Sequence, residues 1–337
     1  MLWNIAAPFF DAKRFATLRW LDDAVVGGAH RFRKVPFAAT DVIDWHRRSG
    51  RATPFRQWHD YWTTGGRALQ GAGGVITVFP QLAVTTALHR VLSLRRPSIV
   101  AWCFNLGRLP GGARRAAARL ALGGVERFVV HSSAEVDLVS DYLGIDRERV
   151  RFVPLQRAPI PAMDVEEEQA PFAVAMGSAN RDYQTLIEAA RLNGLPLTIV
   201  ASPRSTQDLR LPSNVTIRSG ISPEECHRLA QRARLSIVPL ADVGAASGQV
   251  TVIEAQRMGR PVIATRSIGT SDYIADDRTG LLVAPSDPGQ LAAAMQALWH
   301  DRSRRERIAA GGAAFAAEQL SDEAAARALV SILDEFL

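Results

Sequence analysis

The residues best placed for chemistry lie between two apolar segments, 235–238 and 261–265. A small-residue loop, Pro239-Leu-Ala-Asp-Val-Gly-Ala-Ala-Ser-Gly248, and a helical pattern over 249–258 join them. Ser247 is suited to cap that helix, and the loop through Gly248 and Gln249 leaves backbone N–H groups at the positive end of the helix dipole, where a phosphate or diphosphate binds. Glu254 stands about one and a half turns further in, at the right distance to accept both hydroxyls of a ribose. The same residues also suit a capped surface helix with an exposed glutamate. Asp242, in the loop, reads as a cap or a solvated charge. Elsewhere, Asn105 follows an apolar segment at 98–102, and His131 and Ser132 close another at 127–131. His131 suits a general base or a hydroxyl-orienting group, and equally a structural histidine at a strand end. Paired carboxylates at glycosidase spacing, a metal-ligand cluster and a GxSxG elbow are all missing from the sequence, and Asp276-Asp277 reads as a turn, which disfavours hydrolases.

The elements that must position these residues alternate in type. Apolar strand patterns at 75–79, 98–102, 127–131 and 150–153 are separated by helical patterns at 81–95, 113–122 and 134–143. Before them, 31–37 reads as a strand and 55–70 as a helix. The alternation restarts with strands at 172–176, 197–201, 215–218, 235–238, 261–265 and 280–283, and helices at 183–192, 223–233 and 249–258, with further helices from 288, 302 and 322. This is an α/β pattern of two tandem Rossmann-like domains, each a parallel sheet covered on both faces. Ligands bind beyond the carboxyl ends of such strands, so two facing sheets predict one interdomain cleft. Prolines at 159 and 161 and three successive glutamates mark 158–171 as a linker between domains at 1–157 and 172–320.

Composition agrees with a globular chain: 337 residues, 47% apolar and 22% charged, enough for about two domains. No apolar run approaches the roughly 18 residues of a membrane span, and the start has no basic leader with a clean apolar core, so a cytoplasmic protein is expected. The two cysteines, Cys103 and Cys226, are far apart and read as core or near-core residues. Charge is lopsided: 22 Lys and Arg against 12 Asp and Glu up to Leu155, and 18 against 22 beyond it. A basic half calls for an anionic partner. Its arginines are scattered without a nucleic-acid-binding signature, which argues against nucleic acid. Arg114, Arg115 and Arg119 on an alanine- and leucine-rich helix suggest peripheral contact with anionic membrane at its inner face. Six of the seven tryptophans, at 3, 20, 45, 58, 62 and 102, fall in this half; they read as core before sugar-stacking platforms.

Order and identity of residues add a family resemblance. Ser247, Glu254-Ala, Met258-Gly-Arg-Pro-Val-Ile-Ala-Thr265, Gly269, Tyr273-Ile, Thr279-Gly-Leu-Leu-Val and Asp287-Pro resemble the donor domain of glycosyltransferase family 4 and its GT-B relatives. Upstream, Val174-Ala-Met-Gly-Ser and Leu186-Ile-Glu-Ala-Ala look like that domain's first strand and helix, and 215–220 with Ser222-Pro-Glu-Glu like its nucleobase-side loop, which brings in Gly220 and Ile221. Phe128-Val-Val-His-Ser132 and Val150-Arg-Phe-Val-Pro154 agree more weakly. The resemblance covers about residues 125 to 300 and is silent over the first seventy. It implies that Glu254 is the second of two family glutamates, the ribose-binding one. The place of the first, which contacts the donor sugar, holds Ala246, so sugar and stereochemical outcome stay open. It implies a basic diphosphate ligand in the loop Gly177-Ser-Ala-Asn-Arg181-Asp182. Arg181 is the candidate, because a guanidinium binds two phosphate oxygens at once; the competing reading pairs it with Asp182 on the surface. The final helix, 321–337, is expected to cross back to the first domain.

The expected activity is therefore transfer of a sugar from a nucleotide-diphosphate sugar to a hydroxyl of a glycan or lipid-linked acceptor, with Arg181, His131 and Asn105 as catalytic candidates. No cofactor or metal is expected, since helix N–H groups and an arginine can neutralise the leaving diphosphate. A nucleotide-sugar epimerase of the same fold and a non-catalytic sugar-nucleotide sensor are the alternatives.

Overall fold

The computed structural model describes residues 1–11, 13, 15–39, 53–93, 96–107 and 109–337. Its chain forms two units, Met1–Pro154 with Asp322–Leu337, and Leu155–Ser321. The first contains β1 (Leu2–Ala6), β2 (Arg31–Val35), α1 (Phe55–Ala68), β3 (Gly74–Val78), α2 (Pro80–Val91), β4 (Ser98–Trp102), α3 (Gly112–Leu122), β5 (Arg127–Val130), α4 (Ala134–Leu143) and β6 (Val150–Phe152). The second contains β7 (Ala173–Met176), α5 (Tyr183–Asn193), β8 (Leu197–Val200), β9 (Val215–Arg218), α6 (Pro223–Arg232), β10 (Leu235–Val238), α7 (Gln249–Arg257), β11 (Val262–Thr265), β12 (Leu281–Val283), α8 (Pro288–His300) and α9 (Arg302–Gln319). The last helix, α10 (Asp322–Asp334), belongs to the first unit. Trp45, and the expected helix end at Arg95, lie outside the described residues.

The first sheet runs β2-β1-β3-β4-β5-β6, parallel throughout. A parallel sheet must be covered on both faces. Trp3, Ile5, Ile76, Val100, Trp102 and Val129 pack with Leu329, Ile332 and Leu333 of α10, while Ile99, Ala101, Phe128 and Val130 pack with side chains of α2, α3 and α4. Polar contacts fasten α10 at its end. The Trp3 indole donates to His30 Nδ1 at 3.1 Å, so His30 donates from Nε2 to Asp334 at 2.8 Å. Glu335 accepts from Arg127 and, at 3.0 Å, from Arg151. Strand β1 was not legible in the sequence because Asn4 interrupts its apolar run. Asn4 is fully buried, but its amide donates to Ala68 O and Gln70 O and its Oδ1 accepts from Arg33 Nε, so no burial penalty remains.

The second sheet runs β12-β11-β10-β7-β8-β9, again all parallel. Segment 158–171, expected as a linker, is bound to this unit, and the units divide at 154/155. Gln231, buried on α6, accepts from the Met163 and Asp164 amides and donates to Pro161 O. Glu166 pairs with Arg234 at 2.8 Å and Glu167 with Arg232 at 2.9 Å. The prolines and glutamates that suggested a tether dock an extended strap.

Each sheet has one place where successive connections leave in opposite directions, opening a crevice at the strand ends. It falls between β1 and β3 in the first unit and between β7 and β10 in the second.

Candidate functional site

At the second crevice the loop after β7 meets the loop after β10. Asp182 N–H donates to Pro239 O at 3.2 Å and Ala241 N–H to Asn180 O at 3.0 Å, with Arg181 and Leu240 forming an isolated bridge. Gly177, at φ 109°, lies under the Arg181 guanidinium; a Cβ there would come within 2.7 Å of Nη2, so only glycine admits the arginine. Arg181 donates from Nε to Met176 O and from Nη1 to Ala179 O, both at 2.9 Å, and from Nη2 to Thr251 Oγ1 at 2.8 Å. These use three of its five N–H groups. Asp182 is not its partner, being engaged as the N-cap of α5 through Thr185. Burial lowers the Arg181 pKa, and among the described residues no carboxylate comes within ion-pair distance of it. A guanidinium nevertheless stays protonated, so a largely buried positive charge rests on neutral partners alone.

Helix α7 aims its N-terminus into the same loop pair. Its N-cap is Gly248 at φ 86°, with no side-chain cap, which corrects the expected role of Ser247. The reason is steric. A Cβ at 248 would lie 2.9 Å from Leu240 Cδ1 and 3.2 Å from Val238 Cγ1, so the chain turns on glycine, while the Ser247 backbone is held close under Gly269. Gln249 starts the helix and is buried. Thr251, in the first turn, was missed by the sequence reading; its hydroxyl position beside Arg181 depends on two loops 70 residues apart.

Further along α7, Glu254 is partly buried rather than displayed on the surface. Its Oε1 accepts from Arg157 Nη2 and, at 3.2 Å, from Arg157 Nε, with His227 Nε2 at 3.9 Å. Burial first, and then the charge of Glu254, raise the neighbouring Cys226 thiol. Cys226, Ile221 and Met176, the last at the end of β7, all pack against one small apolar cluster of Val174, Val200, Leu229 and Ala233. Gly220 turns at φ 70° with open space beside its Cα, and Ser222 then caps α6 in a reciprocal pair with Glu225. Gly177, Arg181, Gly248, Gln249, Glu254, Gly220 and Ile221 thus line connected loops and helix starts of one unit. Ala246 is buried in the loop before α7, and Asp242 is exposed.

His131 and Asn105 lie in the first unit, each hydrogen-bonded to Cys103, His131 through its ring and Asn105 through its backbone N–H. His131 Nδ1 donates to Val153 O at 2.7 Å, which leaves Nε2 to accept from the Cys103 thiol at 3.0 Å. Burial pulls His131 down to about 4 and pushes Cys103 up to about 12, so both are neutral. The pair is a structural bridge between strand ends, and the expected general-base role finds no unused ring nitrogen. The Asn105 carbonyl oxygen accepts from the Gly107 amide and shapes its loop. On α3, Arg115 and Arg119 donate to the Asp141 and Tyr142 carbonyls at the end of α4, where cations offset the helix dipole. Trp3 and Trp102 are fully buried in the core, whereas Trp58 and Trp62 are exposed on α1. No helix among the described residues is long and apolar enough to cross a membrane.

Residues 174–301, which hold the crevice, the Arg181 loop, α6 and α7, match the family Glycosyl transferases group 1. The chain is 25% identical over 215 residues to a D-inositol 3-phosphate glycosyltransferase of Paenarthrobacter aurescens, covering 54% of this chain and 51% of that one. It is 26% identical over 205 residues to the lipopolysaccharide core biosynthesis glycosyltransferase LpsE of Rhizobium meliloti, covering 59% and 58%. It therefore spans little more than half the length of these relatives. The solved structure of Anabaena Alr3699/HepE in complex with UDP superposes with a TM-score of 0.70 over 99% of both chains at 13% identity. That likeness is one of fold: two parallel Rossmann-like sheets, the GT-B architecture.

Proposed function

We propose that the protein transfers a sugar from a nucleoside-diphosphate sugar to a hydroxyl of a glycan or lipid-linked acceptor. The observation that carries this reading is Arg181, a largely buried cation with no carboxylate partner among the described residues, beside the uncapped N-terminus of α7 at the crevice of the second sheet. A buried charge without a counter-ion is costly, and a diphosphate is the counter-ion that a helix N-terminus and a two-pronged donor would jointly hold. Glu254 would take the ribose hydroxyls, and the loop at Gly220 and Ile221 the base.

In the reaction the acceptor oxygen bonds to the anomeric carbon as the bond from that carbon to the diphosphate oxygen breaks. The electron pair leaves on the diphosphate, where Arg181 and the helix dipole stabilise it, and the acceptor proton passes to a base. That charge neutralisation needs no metal ion, so turnover is expected to survive a chelator. His131, in this reading, holds strand ends and does not take the proton. The HepE complexes contain UDP and UDP-glucose, which makes uridine nucleotides the first donors to try. LpsE, and an O-antigen chain mannosyltransferase of Escherichia coli to which the chain is 30% identical over 129 residues, point to glycan assembly as the setting.

The test is acceptor-dependent release of UDP from a panel of UDP-sugars, with the sugar recovered on the acceptor. Donor conversion without acceptor would favour the epimerase reading, and tight binding without turnover the sensor.

The same proposal includes membrane contact, through α1 rather than α3. Arg115 and Arg119 are committed to α4, but α1 exposes Phe55, Trp58 and Trp62 beside Arg56, and α1 to α3 together carry six arginines and one carboxylate, Asp60. Aromatic and cationic residues on one layer suit an anionic lipid surface at the inner face of a membrane. Binding to vesicles that ignores both anionic lipid and salt would contradict this.

A further inference from the structure

Resting on the reading of Glu254 as the ribose carboxylate, we infer that Arg157 is an internal occupant of that carboxylate which a bound ribose must displace. Both guanidinium contacts fall on one oxygen: Nε at 3.2 Å and Nη2 closer still, each on Oε1. His227 Nε2, at 3.9 Å, faces the same oxygen. Oε2 has no partner among the described residues. The carboxylate is thus half taken. A single ribose hydroxyl can bond to Oε2 without disturbing the arginine, while a second, vicinal hydroxyl reaches Oε1 only by displacing it.

Displacement is feasible because Arg157 is only loosely committed. Its side chain is 40% exposed and the pair is partly solvated, conditions under which an ion pair contributes little. Its backbone is anchored independently, donating to Leu320 O at 3.1 Å, so the side chain can leave without moving the chain. Arg157 also neutralises Glu254, which keeps a carboxylate from repelling an arriving diphosphate.

The consequence is readable as a ratio of affinities, from which the change in net charge cancels. Calorimetry with UDP and 2′-deoxy-UDP on the full chain is expected to show discrimination of about 3-fold or less in the native protein, because one hydroxyl finds its oxygen occupied. In Arg157→Met, with Oε1 released, the ratio should rise to about 10-fold or more, the value of one hydrogen bond to a charged group. Arg157→Lys, which restores a cation there, should bring it back toward the native value, and Glu254→Gln should lower it in either background. An unchanged or smaller ratio in Arg157→Met, with UDP still bound, would overturn the inference and leave the nucleotide site standing. An equal loss of both ligands in Arg157→Met would make the arginine a direct ligand of the diphosphate and overturn it too. Failure of every variant and of the native protein to bind UDP would instead remove the nucleotide reading itself, and the inference with it.

Discussion

The two sheets share size, parallel sense and a crevice where their connections reverse, yet the crevices are furnished in opposite ways. In the second unit the strand ends carry polar loops: Gly177 and Gly248 clear space, Arg181 brings charge, and α7 presents an uncapped N-terminus. In the first, the ends of β1 and β3 lead into Phe9, Phe10 and Phe79, all packed on the core, with Phe79 at φ 73°. One strand further on, Cys103 and His131, both held neutral by burial, satisfy one another through a hydrogen bond. The difference teaches that topology provides the place and local residues decide its use. One crevice carries a largely buried cation; the other is apolar, with the Cys103 and His131 side chains bonded to one another.

Several substitutions would break this contrast. The largest effect is expected at Arg181: Arg181→Ala should weaken nucleoside diphosphate binding by about 100-fold or more, as loss of a charge-assisted two-pronged contact does. Arg181→Lys should recover only part. Native-like affinity in Arg181→Ala would place the anion elsewhere.

On the other side, His131 predicts an acid sensitivity. Its folded pKa of about 4 lies below the usual 6.5, so the unfolded chain takes up the proton first as pH falls. The contribution is intact above pH 6.5, is lost progressively down to about pH 4, and is constant below; its full size is on the order of 3 kcal/mol. Urea unfolding of the native protein and of His131→Gln at pH 7.5 and 4.5 should show a smaller drop in the variant. Equal drops would mean that the histidine is not the buried neutral bridge described above. Gly248→Ala sharpens the contrast from the steric side. It should cost about 2 kcal/mol in unfolding free energy, because alanine at φ 86° also meets Leu240. A stability unchanged within error would show that the turn before α7 can relax. The smallest effect is at the α10 latch, where Glu335→Ala should cost about 1 kcal/mol through loss of Arg127 and Arg151 together.

Legibility did not follow that divide. From about residue 74 onward, in both units, strands and helices announced themselves by period, and the glycines and arginine of the second crevice were visible because each is the residue type its geometry demands. Besides Thr251, three features were hidden. Strand β1 contains Asn4, whose partners at 68, 70 and 33 cannot be known from its neighbours. The cap of α7 went to Gly248 because Val238, at the end of β10, and Leu240, in the loop after it, approach it closely, where local preference favoured Ser247. Arg157 sat in a stretch that looked like a tether, and its pairing with Glu254 spans 97 residues. Polar patterning marks elements; the pairing of distant polar groups is set by packing alone.

The central claim is that the crevice between β7 and β10 binds a nucleoside diphosphate. Calorimetric titration of the native protein, Arg181→Ala and Glu254→Gln with UDP, GDP and ADP tests it most directly. Micromolar binding of one of them to the native protein is expected, weakened by about 100-fold or more in Arg181→Ala and to a lesser degree in Glu254→Gln. Binding that is absent from the native protein, or unaltered in both variants, would contradict it.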